Sequence, residues 1–225
     1  MKKLFSILIT LTFLFVTSIN AQNMGLGIAL KASTMGFGGD VALGINKSMD
    51  VRLGFDMMGS FSKNFNFKES GINYNATATF KTGSITALYD YYIANSFFVA
   101  GGFGYNLFNA DVTGKAISNL VYGDIQIDKD KVGTFNYKIN PGMKISPYLG
   151  IGFGRTLGTE KNFSFAFEIG TFYQGSPDIT IKTTGLLSPT SNPDLGKAKE
   201  LESQISQYCL YPVLKISLSY RILKF

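Results

Sequence analysis

The chain has 225 residues and a formal net charge of +6, and only 16% of its residues are charged, against about 25% in an average soluble protein. It contains one cysteine and no histidine, which excludes a disulfide framework, a cysteine-based zinc site, most other metal sites and the histidine-dependent catalytic triads. Aromatic residues make up 14% of the chain, which excludes a disordered protein.

The first 21 residues predict a secretory signal peptide. Lys2 and Lys3 form a positively charged start, residues 4–16 form an apolar run, and small or polar residues lead up to Ala21. The apolar run is shorter than the roughly 20 residues that a transmembrane helix needs, so an N-terminal membrane anchor is the less favoured alternative. We therefore expect residues 1–21 to be removed and residues 22–225 to form the mature domain.

The mature chain alternates apolar residues with small or polar ones, which is the period of β-strands. Glycine is frequent on the small or polar face, and the chain contains 25 glycines in all. Because glycine weakens a strand but suits a crowded and strongly curved interior, the pattern predicts a narrow barrel. Eight alternating runs follow one another, at residues 24–32, 37–45, 51–61, 85–91, 97–107, 145–153, 163–173 and 214–222.

The links between these runs favour a barrel of the outer membrane, where short periplasmic turns alternate with longer outer loops. Short links occupy residues 46–49, 93–96 and 155–162, longer links occupy residues 63–71, 114–133 and 184–208, and a tight first hairpin at 33–36 departs from the alternation. We predict an all-β, eight-stranded antiparallel up-and-down transmembrane β-barrel with both termini on the periplasmic side. Interfacial girdles are predicted at Tyr89, Tyr91, Tyr92, Tyr105, Tyr173 and Tyr220.

A short helix is predicted in the last outer link, around residues 194–207. Leu195, Ala198, Leu201 and Ile205 recur there at helical spacing, and the preceding Asn192–Pro193 pair could cap and start the helix. An unstructured polar loop is the alternative.

Two positions conflict with regular strands. Pro147 lies inside the sixth run, where its missing N–H predicts a bulge. Leu223 and Phe225 are out of phase with the last run, so either a bulge restores the phase or the last three residues lie beyond the strand.

Several segments resemble a known class of small outer-membrane barrels. The segments are KASTMGFGGDVALGINKSMDVRLGF at residues 31–55, SPYLGIGFG at 146–154, FSFAFEIGTFYQGSPDITIKTTG at 163–185 and YPVLKISLSYR at 211–221. They resemble the carbapenem-associated, ornithine-uptake type porins and their relatives, and the likeness covers nearly the whole mature chain except residues 110–135. The resemblance implies an eight-stranded barrel and a role in uptake of small, often basic, solutes, and it supplies no catalytic residues.

Charged side chains on the small or polar faces are predicted to line the lumen. Three acids against four bases predict a ladder of internal salt bridges rather than a catalytic carboxylate pair, and without histidine we expect no enzyme. No metal and no cofactor are expected. The predicted lumen charges are Lys31, Asp40, Arg52, Asp56, Glu168, Lys215 and Arg221.

The predicted function is that of a porin-like barrel whose narrow lumen passes small solutes. An eight-stranded barrel has an interior just wide enough for side chains to fill, so charges that meet across the axis would close it, whereas inward glycines would leave room. The alternative is a non-conducting structural, adhesion or interaction barrel. We expect an outer-membrane monomer in contact with lipid, with small solutes as candidate ligands and no nucleic acid as partner.

Overall fold

The computed structural model describes residues 25–123, 125–158, 162–192 and 197–224, and the predicted signal peptide lies outside the described residues. A 3-10 helix (Gly185–Ser191) and two short α-helices, α1 (Lys129–Val132) and α2 (Lys197–Ile205), accompany the strands. The strands are β1 (Gly25–Ser33), β2 (Gly36–Asn46), β3 (Met49–Glu69), β4 (Ile72–Tyr92), β5 (Phe97–Asn106), β6 (Asn109–Ala116), β7 (Leu120–Tyr122), β8 (Ile125–Ile127), β9 (Thr134–Asn140), β10 (Ile145–Gly154), β11 (Phe163–Tyr173), β12 (Asp178–Thr183) and β13 (Leu210–Lys224).

Eight strands close into a ring in the order β1, β2, β3, β4, β5, β10, β11 and β13, and β13 returns to pair with β1. Every neighbouring pair in the ring is antiparallel. Each ring strand coincides with one of the eight alternating runs, so the predicted up-and-down barrel is confirmed. Gly25 pairs with Lys224, which places both chain ends at the same end of the ring.

The outward face of the ring is an apolar belt suited to lipid. Large apolar side chains there remain exposed, among them Leu30 at 75% and Phe37 at 76%. The strands β1 and β2 have 9 and 11 residues, close to the 9–11 residues with which a tilted strand crosses a membrane. Among the described residues, no helix is long and apolar enough to span a membrane.

A second part of the sheet stands beyond the ring, at the end opposite the chain termini. The strands β3 and β4 have 21 residues each, roughly twice what the membrane requires, and they meet in a hairpin at Ser70 and Gly71, whose positive φ angles suit a two-residue turn. The outer half of β4 pairs with β6, which pairs with β9, which pairs with β12. We call this part the outer sheet: β3 from Ser60, β4 to Lys81, and β6, β9 and β12.

The outer sheet corrects the prediction of long loops at residues 63–71, 114–133 and 184–208. These segments contribute strands or cover the sheet, and α2 confirms the helix predicted within residues 194–207, although residues 193–196 lie outside the described part. The inner face of the outer sheet carries a small apolar core of Ile72, Tyr74, Ala76, Ala116, Val132 and Phe135. These strands escaped the sequence analysis because alanine, glycine and threonine occupy many of their face positions, which weakens the apolar alternation.

The two irregular positions resolve differently. No register shift occurs at Pro147, so the bulge predicted there is wrong: β10 pairs with β5 without interruption from Ile145 to Phe153, and its pairing with β11 begins only at Tyr148. The N–H of Asn106 on β5 donates to the carbonyl of Lys144, so Lys144 and every second residue after it direct their backbone groups towards β5. The backbone nitrogen of Pro147 therefore points to the other side, towards β11, where no pairing has begun and no N–H is needed. Near the C-terminus, the pairing of β13 with β1 shifts by one residue between Leu26 and Gly27. This bulge accounts for Leu223 being out of phase with the rest of β13.

Candidate functional site

The lumen of the ring holds a cluster of buried charged side chains. Six of the seven predicted lumen charges are buried there, namely Lys31, Asp40, Arg52, Asp56, Glu168 and Lys215. The seventh, Arg221, is only half-buried and lies at the end of the ring that holds the termini.

Arg52 crosses the lumen. It lies on β3 and its Nη2 donates to Glu168 Oε2 on β11 at 2.9 Å and to Asp90 Oδ1 on β4 at 2.6 Å. Three ring strands separate β3 from β11 in either direction, so the Arg52–Glu168 contact joins opposite walls of the barrel. Both side chains are only 2% exposed, and the plane of this contact is therefore filled.

Further charges extend this contact on both sides. Lys215 Nζ lies 3.2 Å from Glu168 Oε1, and the Tyr148 hydroxyl donates to the same carboxylate. Lys31 Nζ contacts Asp40 Oδ1 and lies 3.0 Å from Asp56 Oδ2, while Asp40 Oδ2 lies 3.7 Å from Arg52 Nη1. The result is one chain of alternating charges across β1, β2, β3, β11 and β13.

The turn after β10 closes the end of the lumen near the termini. Thr156 and Leu157 fold back into the ring and are almost fully buried. The Thr156 hydroxyl lies 3.0 Å from Asp50 Oδ2 and 2.8 Å from Asp90 Oδ2, and its N–H donates to the Tyr92 hydroxyl. Arg155 holds the turn from outside by donating to the carbonyls of Asn95 and Lys47.

Apolar side chains fill the lumen around the charges, from its outer end to Phe98, which lies beside Tyr92 near the termini. Met35, from the tip of the β1–β2 hairpin, is 1% exposed and belongs to a cluster with Leu88, Phe98, Tyr148 and Phe172. Further out, the Asn106 side-chain amide donates to Gln174 Oε1 at 3.2 Å. The barrel interior is thus packed at both ends and in the middle.

The inward glycines make room for these side chains rather than for solvent. A Cβ on Gly27 would overlap Leu157, one on Gly152 would overlap the ring of Phe98, and one on Gly170 would overlap the hydroxyl of Tyr148. A Cβ on Gly54 would likewise overlap the carboxylate of Asp40. The sequence left open whether charges or glycines decide the width of the lumen, and beside these four glycines side chains from elsewhere in the chain occupy the space.

The sequence analysis missed two lumen carboxylates, and it misplaced one tyrosine. Asp50 and Asp90 are buried inside the ring and stand opposite each other on β3 and β4. The period of two could have found them, since Asp50 precedes Arg52 by two residues and Asp90 alternates with the outward Tyr89 and Tyr91. Tyr92, predicted in an interfacial girdle, is also buried in the lumen. The buried charges are thus five acids and three bases, which corrects the predicted surplus of one base.

Comparisons with known proteins identify barrels of the same fold. The crystal structure of CarO from Acinetobacter baumannii matches with a TM-score of 0.54 and 20% identity, over 88% of this chain and 98% of that chain. CarO2 from the same organism matches with a TM-score of 0.55 and 18% identity, over 89% and 100% of the two chains. A major outer membrane protein from Thermus thermophilus has 15% identity and a TM-score of 0.34, over 89% and 98% of the two chains, and no inference rests on it. No family model and no curated protein matches the chain, so the resemblance to small outer-membrane barrels is confirmed at the level of the fold.

Proposed function

We propose that this chain, whose fold is that of the CarO barrels, lies in the outer membrane as a closed barrel and acts through its outer sheet. The single observation that carries the proposal is the contact of Arg52 with Glu168 across the lumen. A barrel of eight strands has little interior volume beyond its side chains, and here the charged chain, Leu157 and Met35 fill it. This favours the interaction barrel over the porin-like one.

Passage of small solutes is the second candidate, and the polarity of the lumen favours it. A barrel that served only as an anchor could be filled with apolar side chains at lower desolvation cost, yet this one buries five carboxylates and three cationic groups. Solute passage would require Arg52 to leave Glu168, which exposes two charges that are now paired.

No catalytic role is proposed. Each of the five buried carboxylates accepts a hydrogen bond or forms an ion pair with a lysine, an arginine, a tyrosine or a threonine, so each is held by structural partners. This agrees with the absence of histidine from the chain.

Liposome swelling separates the two candidates. Vesicles that contain the folded protein and an impermeant sugar are diluted into isosmotic glycine, and flotation of the protein with the vesicles verifies insertion. We expect the turbidity to change no faster than in protein-free vesicles, while vesicles with a wide porin swell. Swelling at a rate that rises with the amount of inserted protein would overturn the closed barrel and establish solute passage.

A further inference from the structure

The edge of the outer sheet along β3 pairs with no further described strand. The strand β2 pairs with β3 only between Met49 and Met57, so beyond the ring β3 is bonded to β4 alone. Residues 57–69 of β3 are all exposed. The edge is long, since about ten residues at roughly 3.3 Å each span about 33 Å.

The backbone groups that face this open edge can be identified from the ladder. Ile117 donates to the carbonyl of Asn73 at 2.8 Å, so Asn73 and every second residue after it face β6, and the residues between them face β3. Their partners Lys63, Phe65 and Phe67 therefore use their N–H and C=O groups for β4. The unpaired backbone groups belong to the residues between those partners, which are Ser62, Asn64, Asn66 and Lys68.

An uncovered apolar surface runs along the same edge. Phe61, Phe65 and Phe67 are 59%, 40% and 37% exposed. They share a sheet face with the buried Tyr74 and Ala76 of β4, so the apolar core of the outer sheet continues to the edge and ends there without a neighbour among the described residues. Exposed aromatic surface beside unpaired backbone groups is the combination that an added strand would bury.

The opposite edge of the outer sheet, along β12, differs from the β3 edge because side chains and a 3-10 helix cover it. At β12, the Glu202 side chain accepts a hydrogen bond from the N–H of Ile179, and the Thr183 hydroxyl donates to the carbonyl of Leu187 in the 3-10 helix. Both contacts cover the outermost strand in the way that natural sheets cover their edges.

We propose that the edge of β3 at residues 62–68 binds an extended segment of a different polypeptide as an added β-strand. The segment alternates apolar side chains, which lie against Phe61, Phe65 and Phe67, with polar ones. An acidic residue of the polar face lies beside Lys68, and a second acidic residue replaces one apolar side chain beside Lys63, which shares the phenylalanine face. This inference rests on the proposed function, in which the outer sheet is the acting part of the protein.

The choice of a foreign chain over a second copy follows from membrane geometry. Copies in one membrane share one orientation, so a twofold axis along the membrane normal would relate two β3 edges. Such an axis turns one sheet over relative to the other, which places the phenylalanine face of one copy beside the Ser62, Asn64 and Asn66 face of its neighbour. A second copy would therefore leave the phenylalanine face uncovered at the edge, whereas a foreign segment can place apolar side chains there and acidic ones beside Lys63 and Lys68.

The test uses a random peptide library displayed on phage and selected on the full folded protein in lipid nanodiscs. The informative variant is Asn64→Pro, because this N–H faces the open edge and its loss leaves the β3–β4 ladder intact. The matched control is Asn64→Ala, which removes the same side-chain hydrogen bond from Thr77 but keeps the N–H. We expect peptides that alternate apolar and acidic residues to be retained at least tenfold better on the wild type and on Asn64→Ala than on Asn64→Pro.

Equal retention on Asn64→Pro, or no enrichment on the wild type, would overturn the proposal. Light scattering on the same three proteins in detergent gives the other outcome: a dimer that Asn64→Pro dissociates would assign the edge to a second copy and overturn the foreign segment. Failure here is distinguishable from failure of the closed barrel, because vesicle swelling reports on the lumen and peptide retention reports on β3.

Discussion

At the scale of single residues, the lumen depends on Arg52 meeting its partners across the barrel. One guanidinium nitrogen serves both Asp90 and Glu168, and Glu168 also holds Lys215. Removing one member of a buried ion pair leaves an uncompensated charge, which typically destabilises a protein by about 3–5 kcal/mol. The charged chain is therefore a fixed part of the folded barrel and not a set of independent surface charges.

Residue-scale packing predicts the outcome of adding one methyl group to the lumen. Gly152→Ala should lower the free energy of unfolding by about 1–3 kcal/mol, because the new Cβ overlaps the ring of Phe98 and overpacking costs that much. Gly101→Ala makes the same change on the outward face of β5 and is the control, since Gly101 pairs with the outward Tyr89 and a Cβ there meets nothing within 4 Å. Urea unfolding in lipid vesicles measures both. Equal stability of the two variants would show that the space beside Gly152 is empty in the protein.

At the scale of elements, the turn after β10 closes the end of the lumen near the termini. Arg155 bonds two carbonyls of neighbouring turns, and its guanidinium stacks at 4.2 Å from the ring centre of Tyr92. These contacts hold Thr156 and Leu157 inside the ring. The same end of the barrel is lined by Gly27 and Gly44, which leave space for Leu157.

Removal of Arg155 should loosen that turn. Hydrogen bonds from a charged group contribute about 1.5–3 kcal/mol each, so in Arg155→Ala the Thr156 amide, which is bonded to Tyr92, should exchange with solvent at least tenfold faster. Nuclear magnetic resonance measures this exchange. The control is Lys47→Ala, which keeps the carbonyl that Arg155 bonds and should leave the rate unchanged. An unchanged exchange rate in Arg155→Ala would mean that contacts other than those of Arg155 hold Thr156 and Leu157 in the lumen.

The elements of the ring were predictable from the sequence, whereas the filling of the lumen was not. Lipid requires an apolar outward face on every ring strand, so residues such as Leu53, Phe103 and Leu149 impose a clear period of two. The space beside Gly152 is filled by Phe98 from β5, and the space beside Gly27 by Leu157 from a turn. Those partners are distant in sequence, and no local pattern relates them. The outer sheet was missed for another reason, since alanine and threonine replace large apolar residues there.

At the scale of the whole molecule, a membrane-spanning ring carries a water-exposed sheet on two prolonged strands. The outward face of β3 changes from Leu53 and Phe55 to Ser62 and Asn64, which marks where the lipid belt ends. The ring is closed inside by side chains from its own strands and turns, and the outer sheet offers the open edge of β3. This division is the basis for the proposal that the protein acts through its outer sheet and not through its lumen.

The closed lumen is tested most directly by recording the current through single copies of the wild-type protein in a planar lipid bilayer. The account predicts no discrete conductance steps at moderate voltage, in samples whose insertion is verified by flotation with vesicles, because Arg52, Leu157 and Met35 block the path. Reproducible steps of one size, present only when the folded protein is added, would contradict it.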